Sequence, residues 1–160
     1  GKCFSYSGLT YIDLPNSVTT LNGTFSGVNS LIRVNSNVNG ECNIPNSVTT
    51  IGQSVFDGCT GLTSITIPDS VTSIGDQTFS GNRNLRQITI GSGITSIGNQ
   101  TTTNSTGIQT ITIKATTPPT IAELTWQSTT CPIYVPAASV EAYKTTGNWV
   151  TYADRIQAIP

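Results

Sequence analysis

The sequence predicts a mainly β solenoid of 23-residue coils, with a parallel β-sheet on one face and a small C-terminal cap containing a short helix. Three observations carry this. Residues 44–90 read IPNSVTTIGQSVFDGCTGLTSIT, then IPDSVTSIGDQTFSGNRNLRQIT, then begin again, so Ile44, Ile67 and Ile90 are spaced 23 residues apart without a gap. A period of that size marks one structural unit stacked on the next. Within each unit a segment such as LTSITIP at 62–68 alternates apolar and polar residues, the pattern of a half-buried strand. Charged residues make up only 9% of the chain, against roughly 25% in ordinary soluble domains, and Ser, Thr, Asn and Gly replace them. Thr favours strands because its branched side chain packs on a pleated surface.

Taken in order, residues 1–13 form a partial repeat, in which Cys3, Tyr6, Leu9 and Ile12 are expected where Phe56, Cys59, Leu62 and Ile65 stand later. A repeat with an insertion follows at 14–43, one residue short between Leu21 and Phe25. Its extra segment, 36–43 (SNVNGECN), is expected to be a loop. Regular repeats occupy 44–66, 67–89 and 90–112. The last of these has drifted, with Gly91 for Pro and Thr102 in the place of Phe56 and Phe79. A degenerate terminal coil covers 113–135. There Trp126 is expected to plug the aromatic position, and Ile133-Tyr134-Val135 to form one last strand. Residues 136–160 read as the cap, with helix-forming composition from Pro136 to Lys144 and apolar cover from Trp149, Tyr152, Ile156 and Ile159. The chain contains no Met and starts partway through a repeat, which leads us to expect a C-terminal piece of a longer protein.

Stacking turns each position into a column. Leu31, Leu62, Leu85 and Ile108 form one interior column, and Val34, Ile65, Ile88, Ile111 and Ile133 form another. Val18, Val48, Val71 and Ile94 line the opposite side, and Phe25, Phe56 and Phe79 fill a corner. Each buried aliphatic side chain contributes about 1.5–3 kcal/mol, and Phe56→Ala is expected to cost about 3–5 kcal/mol. Pro68 should end its strand, and Gly52, Gly75 and Gly98 should mark a bend after the second short strand. Thr102 should leave a gap for a neighbouring side chain to fill. The outward columns of the same sheet are Tyr11, Arg33, Ser64, Gln87, Thr110 and Asp13, Asn35, Thr66, Thr89, Thr112, Tyr134. These eleven residues are the candidate ligand-binding face. Solvation of the sheet is the competing role for the same residues.

The repeat IPxSVTxIGxxxFxGCxxLxxIxI at 44–67 resembles the BspA-like leucine-rich repeats, and the tail IYVPAASVEAYKTTGNWVTYADRIQAI resembles that family's C-terminal segment. The resemblance covers nearly the whole chain and implies a leucine-rich-repeat solenoid. It also implies a secreted or cell-surface protein of host-associated bacteria, with adhesion to host proteins or other cells among the family's roles. It defines core positions rather than a binding motif, so no functional residue carries over.

Chemistry finds little support. There is no His, and the eight acids form no close pair in sequence, although Asp69 and Asp76 share a repeat. No phosphate-binding loop or nucleophile elbow occurs. Cys3, Cys42, Cys59 and Cys131 lack paired metal spacing; Cys3 and Cys59 read as buried thiols, and a Cys3–Cys42 bridge is open to an exported protein. Asn22, Asn99 and Asn104 head glycosylation sequons. A net charge of −1 offers no field for nucleic acid, and no apolar run reaches the roughly 20 residues that span a bilayer. No enzyme activity, cofactor or metal is expected. The leading expectation is a binding module for a protein or glycan on a host or neighbouring cell. Alternatives are a structural spacer with no ligand of its own and, from the column Thr66, Thr89, Thr112, an ice-binding surface.

Overall fold

The computed structural model describes residues 4–160. The strands are β1 (Tyr11–Ile12), β2 (Thr20–Leu21), β3 (Arg33–Val34), β4 (Glu41–Asn43), β5 (Thr50–Ile51), β6 (Ser64–Ile67) and β7 (Ser73–Ile74). They continue as β8 (Gln87–Ile90), β9 (Ser96–Ile97), β10 (Thr110–Ile113), β11 (Thr120–Ile121) and β12 (Ile133–Val135). Helix α1 (Val140–Thr145) and a final strand β13 (Ile156–Ala158) follow. All pairings are parallel. One sheet has eight strands in the order β1-β3-β4-β6-β8-β10-β12-β13, and the other has five in the order β11-β9-β7-β5-β2. The chain is a solenoid: each regular coil contributes one strand to each sheet, and Ile65, Ile88 and Ile111 align in the register expected from the repeat.

The apolar columns fill the space between the sheets. Leu31, Leu62, Leu85, Val34, Ile65, Ile88, Ile111 and Ile133 are all fully buried, and so are Phe25, Phe56, Phe79 and Trp126. Phe25 and Phe56 stack with centroids 5.5 Å apart. Beside the aromatic corner runs a polar ladder. The Cys59 thiol donates to the Phe25 carbonyl at 3.2 Å, the Asn82 amide to Phe56 at 2.7 Å and the Ser105 hydroxyl to Phe79 at 2.6 Å. Different side chains at one position thus bind each coil's backbone to the coil before it. Thr102 is fully buried in the aromatic column, and its hydroxyl satisfies the Gln127 carbonyl at 2.8 Å, so the drifted coil gains a hydrogen bond where it loses a ring.

Gly52, Gly75 and Gly98 stand where their amides donate to the preceding coil at 2.7–2.8 Å. Their role is close approach. A Cβ on Gly75 would lie 2.6 Å from the Gln53 nitrogen, and one on Gly98 2.6 Å from the Asp76 nitrogen.

Several expectations need correction. Residues 36–43 are not wholly a loop: Glu41–Asn43 is strand β4, inserted into the larger sheet between β3 and β6. Asn35 and Gly40 adopt left-handed backbone at either end of the connection. They let it return within six residues, so it never reaches the smaller sheet, and β2 pairs directly with β5. In the first coil, Phe4 rather than Cys3 takes the aromatic column, stacking on Phe25 at 5.9 Å. Tyr6 is 81% exposed at the left-handed position that Gly27 and Gly58 hold, because the coil is one residue short between Ser7 and Leu9. Cys3 lies outside the described residues, and Cys42, Cys59 and Cys131 are buried free thiols. Finally, β12 is not the last strand. Ile156 pairs beside Ile133 in β13, while Ile159 stays 39% exposed, outside the buried core.

The cap explains its own composition. Helix α1 and the 3-10 turns on either side of it lay Tyr143, Trp149 and Tyr152 over the terminal coil, all buried. Their polar tips satisfy carbonyls that have no next coil to pair with: Tyr143 to Ala115 at 2.9 Å, Trp149 to Pro119 at 2.7 Å and Tyr152 to Glu123 at 2.6 Å. Asn148 and Arg155 do the same for Ile121 and Cys131. A buried unpaired carbonyl is costly, and an aromatic with a polar tip covers apolar area and closes that backbone together.

Candidate functional site

The larger sheet presents two outward rows, because alternate residues of each strand point away from the core. One row runs Tyr11, Arg33, Glu41, Ser64, Gln87, Thr110, with Tyr11 paired beside Arg33 and Glu41 beside Ser64. The other runs Asn43, Thr66, Thr89, Thr112, Tyr134, Gln157, with Asp13 and Asn35 just past the ends of β1 and β3. Nine of the eleven residues singled out from the sequence lie on these strands, and Asp13 and Asn35 are the other two. Glu41, Asn43 and Gln157 join them, each carried by a strand that the repeat period does not announce. Short strands with one apolar residue, such as Glu41-Cys42-Asn43, give no periodic signal.

The rows are not uniform. From Ser64 to Thr112 the face is Ser, Thr and Gln, partly exposed and uncharged. The charges of the face are Asp13, Arg33 and Glu41, on or beside its first three strands. Tyr11 is 55% exposed, and the Arg33 guanidinium sits 4.7 Å from its ring centroid, a cation–π contact. Ser36 donates to the Glu41 carboxylate at 2.7 Å. Asn35 is committed elsewhere. Its amide accepts from the Leu14 N–H at 3.0 Å and donates to the Leu14 carbonyl at 3.1 Å, so it clamps the neighbouring chain instead of facing solvent. Among the described residues, neither Asp13 nor Arg33 has an ion-pair partner.

The short connection after β3 leaves an open polar depression of about 260 Å³ between Asp13, Asn35, Ser36 and Asn37. Other concavities lie elsewhere on the described residues. One of about 430 Å³ opens on the core at Phe4, Leu14, Val18 and Leu21, and a smaller one of about 200 Å³ lies between Pro118–Ile121 and the cap. Among the described residues, no three acidic, Cys or His side chains gather as metal ligands. The arrangement suits non-covalent recognition along a flat face, with side-chain diversity concentrated at one end.

Comparison with known proteins agrees with this geometry. The fold matches a leucine-rich repeat protein from Eubacterium ventriosum with a TM-score of 0.67 and 18% identity, over 85% of this chain and 38% of that one. It also matches the T. pallidum leucine-rich repeat protein with a TM-score of 0.51 and 18% identity, over 64% of this chain and 58% of that one. The chain thus spans between about two fifths and three fifths of these proteins. No curated protein matches the sequence. The family model described as the BspA type leucine rich repeat region matches residues 35–129 in six copies, more than half of the sequence. With its repeats, its two parallel sheets and its capped end accounted for, the chain belongs to the BspA-type leucine-rich-repeat family.

Proposed function

We propose that this chain is a non-enzymatic binding module of an exported bacterial surface protein, recognising a protein or glycan on a host or neighbouring cell through the outward face of its larger sheet. The observation that supports this most is the contrast along that face. A surface needed only for solubility would carry the same Ser and Thr throughout, yet an exposed aromatic and three charges gather beside the connection that follows β3. Membership of a repeat family whose members are linked to adhesion points the same way. The sequence has no His, the commonest general base, and among the described residues the face carries only Asp13 and Glu41 as carboxylates, which leaves a catalytic role without support.

The uncharged middle of the face favours a second reading, in which those coils act as a spacer. Binding to immobilised extracellular-matrix proteins and to a glycan array separates the two. The variant Tyr11→Ala, Arg33→Ala, Gln87→Ala should lose capture while keeping its thermal midpoint. Undiminished capture would remove the sheet face from the account and leave the spacer.

A further inference from the structure

The depression beside Asp13 has a size and a set of groups that narrow the ligand. We propose that it binds the terminal ring of a neutral glycan, a hexose without a carboxylate, with Tyr11 as the neighbouring platform. The proposal rests on the binding-module reading above and assigns it a place and a chemistry.

Size comes first. At about 260 Å³ the depression lies below the roughly 300–1,000 Å³ of pockets for drug-sized ligands, so one ring suits it and an extended ligand does not. Its walls include polar groups held in place by their own hydrogen bonds. Asn35 is fixed by both of its bonds to Leu14, and Ser36 by donating to Glu41 and accepting from the Val38 N–H at 3.0 Å. Such bonds fix the site before a ligand arrives and reduce the ordering cost on binding. Against these walls stand two groups without partners among the described residues. The Asp13 carboxylate accepts only, the natural complement of adjacent sugar hydroxyls, and the exposed Asn37 amide both donates and accepts.

Tyr11 lies two residues before Asp13, which follows the end of β1, roughly 6.5 Å away for an extended chain. Tyr11 is more than half exposed, with the Arg33 guanidinium 4.7 Å from its ring centroid. The negative face of an aromatic ring attracts the weakly positive C–H edge of a sugar. Charge then selects against anionic sugars. Asp13 lines the depression and Glu41 lies on a neighbouring strand, so an added carboxylate would meet like charge from Asp13. An amphipathic peptide is the poorer fit, because the walls offer no apolar pocket for a side-chain anchor.

The test is an amide-detected NMR titration of the whole chain with the methyl glycosides of glucose, mannose and galactose, and with N-acetylneuraminic acid as the anionic probe. At least one neutral glycoside should give saturable shifts confined to residues 11–13 and 35–43. Asp13→Asn should weaken that binding by about tenfold or more, the loss expected of a charge-assisted hydrogen bond, and Thr89→Ala should leave it unchanged. Both positions are partly or fully exposed, so an unaltered thermal midpoint shows that either variant folds. Absence of saturable shifts from every neutral glycoside overturns the proposal, as does tighter binding of the anionic sugar or an unchanged titration in Asp13→Asn. If matrix-protein capture survives such a result and still depends on the sheet face, the module reading stands alone; if capture is absent as well, both fall.

Discussion

Gly75→Ala separates two explanations of the glycine column. If Gly75 only allowed a bend, alanine would be harmless or helpful, because its backbone does not lie in the left-handed region. Removing a glycine there restricts the unfolded chain and stabilises by about 0.4–1 kcal/mol. The structure predicts the opposite sign. The added Cβ would sit 2.6 Å from both the Gln53 nitrogen and the Gly52 carbonyl carbon, and both are backbone atoms that no rotamer can move aside. The coils must separate at this corner, which strains the bond from the Gly75 amide to the Ile51 carbonyl, 2.8 Å long. Overpacking of this kind costs about 1–3 kcal/mol and outweighs the entropy gain. Urea unfolding followed by circular dichroism reads the difference, with a melting shift of about 2–4 °C per kcal/mol for a domain this size. Gly8→Ala is the control, since no atom lies within 4 Å of its added Cβ. If Gly75→Ala equals or exceeds the wild type in stability, the coils are not packed backbone to backbone here and the argument fails.

Three further outcomes follow from the same reasoning. Trp149→Phe keeps the ring but leaves the Pro119 carbonyl without its indole donor, and should cost about 1–3 kcal/mol in the same unfolding assay; a neutral result would mean that solvent reaches that carbonyl. The Asp69 carboxylate accepts from the Ser92 backbone N–H at 2.6 Å, which holds its pKa below the ordinary 3.8, with the Ser92 hydroxyl and Lys114 assisting. A lowered native pKa favours the folded state above the ordinary value, and the benefit fades as pH falls through the lowered one; a carboxyl carbon titration with its midpoint at or above 3.8 refutes the contact. Burial raises the thiols, pushing Cys59 to about 12 and raising Cys42 well above its ordinary value. Both should therefore react with a thiol reagent only at the rate of unfolding, and rapid labelling of native protein would contradict their packing.

Much of this fold is legible in the chain because its period is carried by interior residues. Ile65, Ile88 and Ile111 recur at one spacing, and the sheet register follows from them. Where spacing fails, so does the reading. The first coil loses a residue between Ser7 and Leu9, which moves the aromatic corner from Cys3 to Phe4. Strand β4 is hidden because its three residues borrow their order from the sheet on both sides, and only Cys42 faces the core. The outward rows were recoverable as columns, but their inventory was not. Asn35 looks like any exposed polar residue in the sequence, and only its left-handed backbone and its bonds to Leu14 reveal a structural clamp. Trp149 and Tyr152 were legible as cover by their size, whereas the carbonyls they close lie some thirty residues earlier in the chain.

The proposal that recognition belongs to the irregular end of the sheet, and not to its regular middle, is tested most directly by comparing two double variants in one capture assay. Tyr11→Ala with Arg33→Ala alters the aromatic and charged end; Thr66→Ala with Thr89→Ala alters the uncharged rows. Removing a stacked, desolvated aromatic–cation pair at an interface costs about 2 kcal/mol or more, so the first variant should bind at least about tenfold more weakly to the matrix protein or glycan that the wild type captures. The second should bind as the wild type does. Equal losses in both variants, or a loss in the second alone, would contradict the account.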